Sequence, residues 1–150
     1  MNVNLNPTTE MRVVDEARKW LGTPYRHQGS RCQVGADCLG LVRGVWREIY
    51  GYEPEKAGPY AIDWAEKGGE DQLLHAAIKH FIATHSEPGF GHLVLFRWNA
   101  GALAKHAGIT VSTTHFIHAY SGVGVVESPL VPAWRKKIAG VFAFPGLHKN

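Results

Sequence analysis

Cysteine is scarce in this chain, with two in 150 residues. That excludes a disulfide framework. Cys32 and Cys38 are also too widely spaced for a zinc finger. A mixed zinc set of Cys32, Cys38, His106 and His118 is the one metal alternative, and the motifs call for neither metal nor cofactor. No run of eighteen apolar residues occurs, so no helix spans a bilayer. The opening MNVNLNPTTE has no basic n-region and no apolar core, so synthesis without a signal peptide is expected. Repeats and low-complexity tracts are absent. Charge of one sign is also short: 16 Lys and Arg face 13 Asp and Glu, a formal net of +3 with nine His neutral. There is no basic stripe with interleaved aromatics, and nucleic acid is not an expected partner.

What is present is an ordinary globular composition, 45% apolar and 19% charged, in a length suited to one domain. Such a chain buries roughly 70% of its unfolded surface and needs no staple. Thr8 or Thr9 caps a helix whose apolar positions are Met11, Val13, Val14, Ala17, Trp20 and Leu21, stopped by Gly22. Residues 22–36 read as loop. A second helix starts near Cys38, carries Leu41, Val42, Val45, Trp46 and Ile49 on one face, and ends at Gly51. The charged stretch 52–71 reads as loop with a short helix at 62–66. Residues 71–84 read as helix with Leu73, Leu74, Ala77, Ile78 and Phe81 inward. Short apolar runs follow at 93–98, 107–111, 116–120, 123–127 and 138–144. Helices first and strands afterwards argue an α+β fold with a mainly antiparallel sheet of five to six strands. Nothing marks a boundary within residues 1–150, so a single domain is expected, with a helical insertion at about 52–91.

Cys38 falls at the opening of the second helix, where unpaired N–H groups carry partial positive charge. That position is expected to lower the thiol pKa. It shares a face with Val42, Val45 and Ile49, so its sulfur is aimed at the sheet. His106 and His118 flank residues 112–114. If their strands form a hairpin centred on 112 or 113, partner numbers add to 224 or 226. In both registers the two imidazoles share one face, about 4.5–8 Å apart at Cβ. A tight turn at Thr113-Thr114 would separate them. Taken singly, a Cys on an apolar helix face is a small core hydrophobe, and a strand His is structural. Together they suit a nucleophile, a base and a group that orients the base. His75, His80 and His85 read as solvated. Arg135, Lys136 and Lys137 read as a charged surface turn or a contact for an anionic polymer.

Several motifs carry a resemblance: LGTPYRHQG from Leu21, ADCLGLV from Ala36, GHLVLF from Gly91, KHAGI from Lys105 and FIHA from Phe116. In this order they resemble the NlpC family of papain-like bacterial cell-wall cysteine peptidases. The AWR from Ala133, with the strand after it, is similar to the branch found in phages and gene-transfer particles. The resemblance implies a papain-like fold with N-terminal helices packed on the sheet. It implies Cys38 as nucleophile, His106 as general base, His118 as the orienting residue, and Tyr25 as a donor to the oxyanion. Asp37 matches a residue that meets the amino end of the substrate. The implied substrate is the peptidoglycan stem peptide, cut between γ-D-glutamyl and a diamino acid without a cofactor. Phage-like tail proteins are possible partners. Without a signal, packaging in a virion or tail is the expected route to periplasmic peptidoglycan.

Departures from the family pattern are Leu39 where many members have Ser, His27, Gln28 and Gly29 where many have Trp-Gly-Gly, and His92 where many have Asp. All three are expected to line or flank the groove. Tyr60 and Trp64 are expected to wall it, or else to pack a helical insertion. The rival readings are an amidase or acyltransferase on the same scaffold, and a catalytically silent wall-binding or tail-tip module.

Overall fold

The computed structural model describes residues 8–54, 71–99 and 101–146. The short helix expected at 62–66, with Tyr60 and Trp64, lies outside the described residues. Helix α1 (Thr9–Lys19) is capped by Thr8, whose hydroxyl accepts from Met11 N–H. It ends before the apolar pattern does, because buried Trp20 takes the C-cap and Gly22 turns the chain at φ +87°. A two-strand hairpin, β1 (Ser30–Arg31) with β2 (Gly35–Ala36), stands inside the expected loop. Strands that short leave no periodicity to read. Helix α2 (Cys38–Tyr50) has the expected bounds and closes on Gly51 at φ +82°, a left-handed cap that suits glycine.

After α2 come α3 (Gln72–His80), β3 (Ile82–Ala83), β4 (His92–Phe96), β5 (His106–Thr110), β6 (His115–Tyr120), β7 (Gly124–Pro129), the single-turn α4 (Pro132–Arg135) and β8 (Ile138–Ala143). The helix expected over 71–84 therefore stops early. Ile82 and Ala83 pair with Ala143 and Phe142 as an edge strand, and ladder bonds replace helical ones. Ile78, expected inward, is exposed, whereas Leu73 and Ala77 are buried. His80 is not simply solvated: it lies edge-on to Trp46. The fold is α+β, with a six-stranded antiparallel sheet in the order β3-β8-β4-β5-β6-β7.

The two sheet faces bury different cores. Leu41 and Val45 of α2 pack with Ala107, Ile109, Ile117, Ala119 and Val125. Val94, Phe96, Phe116 and Leu130 cluster on the other face, with Trp134 and Ile138 against them. Strand alternation puts His106 and His118 on this second face. Their rings contact Phe96, Phe116 and Trp134 there. Ile109 pairs with Ile117 and Thr110 with Phe116, the second of the two expected registers. The turn is wide. The Ser112 hydroxyl accepts from Thr114 and His115 N–H, so the two imidazoles stay on one face.

Close approach of α1 to α2 depends on Gly44. A Cβ there would overlap the Trp20 indole, and Trp20 has no room to move because it is buried in the core. Gly44→Ala gains helix propensity of about 1 kcal/mol. Overpacking costs about 1–3 kcal/mol and should win. We expect a lower melting temperature, measured by circular dichroism. An unchanged or raised value would show that the interhelix contact yields.

Candidate active site

The loop ahead of α2 is tied down at three places. Val125 N–H donates to Thr23 C=O, and Gly22 N–H donates to Val125 C=O, which fastens the loop to edge strand β7. Ala36 N–H donates to Pro24 C=O and Arg26 N–H to Ala36 C=O, so Tyr25 lies alongside Ala36. Asp37 makes the third tie. It is 4% exposed. Its Oδ1 accepts from Gly40 N–H at 2.7 Å as the cap of α2, and its Oδ2 accepts from Gln28 N–H at 2.8 Å. Both oxygens serve the fold, although Asp37 also lines the cleft. Gly40 completes the fit, because a Cβ there would fall on the Gly29 carbonyl oxygen.

These ties set Cys38 at the tip of α2, against the start of β5. Its thiol donates to the Lys105 carbonyl at 3.9 Å. The N–H groups of Ala107, Leu39 and Cys38 itself also point at the sulfur. The sulfur thus touches the peptide groups on both sides of His106, while the thiol's own hydrogen bond goes to Lys105. Cys38, Leu39, Tyr25, His27, Asp37, Lys105 and Ser121 line a cleft of about 150 Å³. Of the three departures from the family pattern, Leu39 and His27 are in this lining. His92 does not flank the cleft: it starts β4, whereas Phe96 at the strand's other end pairs with His106. There His92 Nδ1 accepts from Gly89 N–H.

The two imidazoles are joined, with His106 Nε2 and His118 Nδ1 2.8 Å apart. His106 is 5% exposed and His118 1%. Trp134 closes over both rings, stacked on His106 and edge-on to His118. At its far nitrogen, His118 Nε2 meets the Ser128 hydroxyl at 2.8 Å. The sequence reading missed Ser128 because it ended that strand at residue 127. Carrying the β6–β7 register onward would have found it, since Ser128 pairs with Phe116. Arg135 is also more than a surface turn. It donates to the Leu130 and Thr113 carbonyls and ties α4 to the β5–β6 turn.

The electrostatics correct one expectation. Burial first, and then the Asp37 carboxylate, pushes the Cys38 thiol up to about 12, against the N–H groups that lower it. Desolvation outweighs the helix terminus. Burial first, and then His118, holds His106 down at about 3. Burial holds His118 at about 4. Burial, with Cys38 and Asp37, raises the Tyr25 phenol, which stays protonated and able to donate. At rest, near neutral pH, the site therefore pairs a neutral thiol with neutral imidazoles.

With the fold and this cysteine–histidine arrangement in view, the class of protein follows: residues 22–143 match the NlpC/P60 family, and the chain belongs to it. It is 31% identical over 137 residues to a protein of Escherichia coli strain K12 named murein DD-endopeptidase MepS/murein LD-carboxypeptidase, covering 91% of this chain and 63% of that protein. It is 30% identical over 144 residues to the γ-DL-glutamyl hydrolase of Bacillus subtilis strain 168, covering 93% of this chain and 30% of that protein. The chain thus spans less than two thirds of the length of either curated relative. Among solved structures it is similar in fold to the NlpC/p60 domain of the peptidoglycan hydrolase SagA, with TM-score 0.60 and 22% identity over 91% of this chain and 99% of that one. A Bacillus cereus family member gives TM-score 0.63 at 21% identity, over 90% of this chain and 40% of that one.

Two outcomes follow from the neutral resting site. Iodoacetamide at pH 7, read by peptide mass mapping, should label exposed Cys32 before Cys38, and the Cys38 rate should keep rising above pH 9. A Cys38 rate already flat at neutral pH would mean a preformed thiolate. The lowered His106 and His118 values mean that the unfolded chain takes up protons first as pH falls below about 6.5. Their contribution to stability is complete above that pH and is lost toward pH 4 and 3. Urea midpoints at pH 7 and 4.5 should differ less in His118→Asn than in the parent, and an equal difference would count against burial as the cause.

Proposed function

We propose that this chain is a cysteine peptidase that hydrolyses peptidoglycan stem peptides. One observation carries the reading: Cys38 lines a cleft, with its sulfur against both peptide groups of His106, whose ring is hydrogen-bonded to His118. The names of the two curated relatives support the substrate class. Because His106 Nε2 is engaged by His118, the nitrogen left for the sulfur is Nδ1. As a substrate carbonyl enters, the thiol exchanges its bond to Lys105 for one to His106. His106 takes the proton as sulfur attacks the amide carbon, so charge develops only during the reaction. The N–H groups of Cys38 and Leu39 and the Tyr25 hydroxyl are the donors for the oxyanion. His106 then gives its proton to the leaving amine, and water cleaves the thioester to regenerate the thiol. Asp37 meets the substrate's amino end in this reading through the electrostatic field of its buried carboxylate.

The γ-D-glutamyl–diamino acid bond is the proposed point of cleavage, supported by the glutamyl hydrolase among the relatives. A phage-like particle acting on periplasmic peptidoglycan is the proposed setting. It is supported by the AWR motif and the strand after it.

Digestion of defined muropeptides, read by liquid chromatography and mass spectrometry, tests the reaction and the bond together. Cys38→Ala should abolish turnover while leaving the melting temperature near that of the parent, and Cys32→Ala should change nothing. Tyr25→Phe should slow kcat by no more than about 10²–10³-fold, the worth of one oxyanion donor. His118→Ala should cost less than His106→Ala. Equal losses at Cys32 and Cys38 would overturn the assignment. Products cut only at the cross-link would overturn the glutamyl bond alone.

A further inference from the structure

We propose that Ser128 is a positioning residue, the last link of a chain His106–His118–Ser128, whose hydroxyl accepts from His118 once His106 holds the thiol proton and so steadies the charged pair. The inference rests on the peptidase reading for its kinetic consequences, but its geometry stands apart from it. His118 has two ring nitrogens and both are engaged: Nδ1 by His106 Nε2 and Nε2 by Ser128 Oγ, each at 2.8 Å. Around them the ring meets hydrocarbon and aromatic surface from Phe116, Tyr120 and Trp134. Ser128 is itself half-buried.

Proton counting gives the role. If His106 is to take the Cys38 proton at Nδ1, its Nε2 must carry a hydrogen and donate to His118 Nδ1. Neutral His118 then carries its own hydrogen on Nε2 and must donate it to Ser128 Oγ. The reverse order is also possible at rest. There the Ser128 hydroxyl donates to Nε2, His118 Nδ1–H donates to His106, and the His106 hydrogen sits on Nδ1. In that order His106 has no lone pair for the thiol. A hydroxyl serves either order by rotating, so Ser128 does not choose between them in the neutral state.

The charged state removes that freedom. Once His106 holds the thiol proton, both of its nitrogens carry hydrogen and His118 Nδ1 can only accept. His118 Nε2 must then donate, and Ser128 can only accept. The hydroxyl therefore binds the charged pair in one sense, as acceptor of a charge-assisted bond. An interaction made in full only when the imidazolium forms acts on kcat more than on KM. Without the hydroxyl, that Nε2–H is buried against carbon. Gly108 supports the geometry. A Cβ there would lie 2.8 Å from the Phe116 ring and 3.3 Å from His118 Cβ, pushing the ring off line.

The test uses the full chain with Ser128→Ala and Ser128→Thr. Muropeptide kinetics should give a kcat about 10–100-fold lower for Ser128→Ala, the range for a hydrogen bond to a charged group, with KM within about threefold. Ser128→Thr, which keeps the hydroxyl, should recover most of kcat, which a merely structural role on β7 would not require. Long-range ¹H–¹⁵N spectra of the histidine rings should show a shifted His118 Nε2 signature in Ser128→Ala, where that nitrogen loses its partner, and a parental one in Ser128→Thr. A Ser128→Ala enzyme within twofold of the parent in kcat, or an unchanged His118 signature, would overturn the proposal. If the parent itself cuts no muropeptide, the peptidase reading fails while the ring spectra still decide the place of Ser128.

Discussion

The hydrogen bond between His106 and His118 is the constraint on which the site depends. Two imidazoles on neighbouring strands meet at 2.8 Å only if three conditions hold together. The β5–β6 register must bring them to one face. The turn must be wide enough not to flip one of them, which Ser112 secures by accepting from Thr114 and His115. The space beside Phe116 and His118 must also stay clear, which Gly108 secures by having no side chain. A shift of one residue would turn one ring toward the α2 core and leave the other alone on the Phe96–Phe116 face. The aromatic face then fixes what the pair can be. Packed against Phe116 and Trp134, both rings are held neutral, and their four nitrogens are left to hydrogen bonding.

The cysteine end is governed by a competition between a dipole and desolvation. A helix terminus supplies a modest stabilisation of negative charge, about 0.3–1 kcal/mol at the surface and up to ~2 kcal/mol when partly buried. Burial among Tyr25, Leu39 and the β5 backbone, beside a carboxylate, opposes it and is larger. The resting thiol therefore stays protonated. In the proposed reaction, proton transfer to His106, which is neutral at neutral pH, therefore accompanies the attack of the sulfur. Asp37 is where the two demands meet. Its carboxylate holds the loop to the helix through Gln28 and Gly40, and its charge keeps the neighbouring thiol from ionising early.

How far the site could be read before it was seen depends on the range over which each signal acts. Cap residues and apolar periodicity are local, so α1 from Thr8 and α2 from Cys38 to Gly51 were legible, as were five of the six strands of the main sheet. The hairpin arithmetic around residue 112 reached the pairing of His106 with His118, because one turn links the two strands. Edge strand β3 was not legible. Ile82 and Ala83 leave the helical pattern only because β8, some sixty residues on, offers a ladder. Ser128 lay one residue beyond a strand end, and boundaries carry the weakest local signal. His92 was misplaced because a motif gives position along the chain, not which end of a strand faces the cleft.

The sequence by itself determined most of the elements, the order of the motifs, the helix start that puts Cys38 at a tip, and the face the two histidines share. These follow from steric and hydrogen-bonding preferences that act over a few residues. Only the tertiary structure decided the protonation state of the thiol, the double use of Asp37, the roof of Trp134 and the bond from His118 to Ser128. Each depends on how much water is removed and which distant groups replace it, and solvation of a side chain is a property of the packed whole.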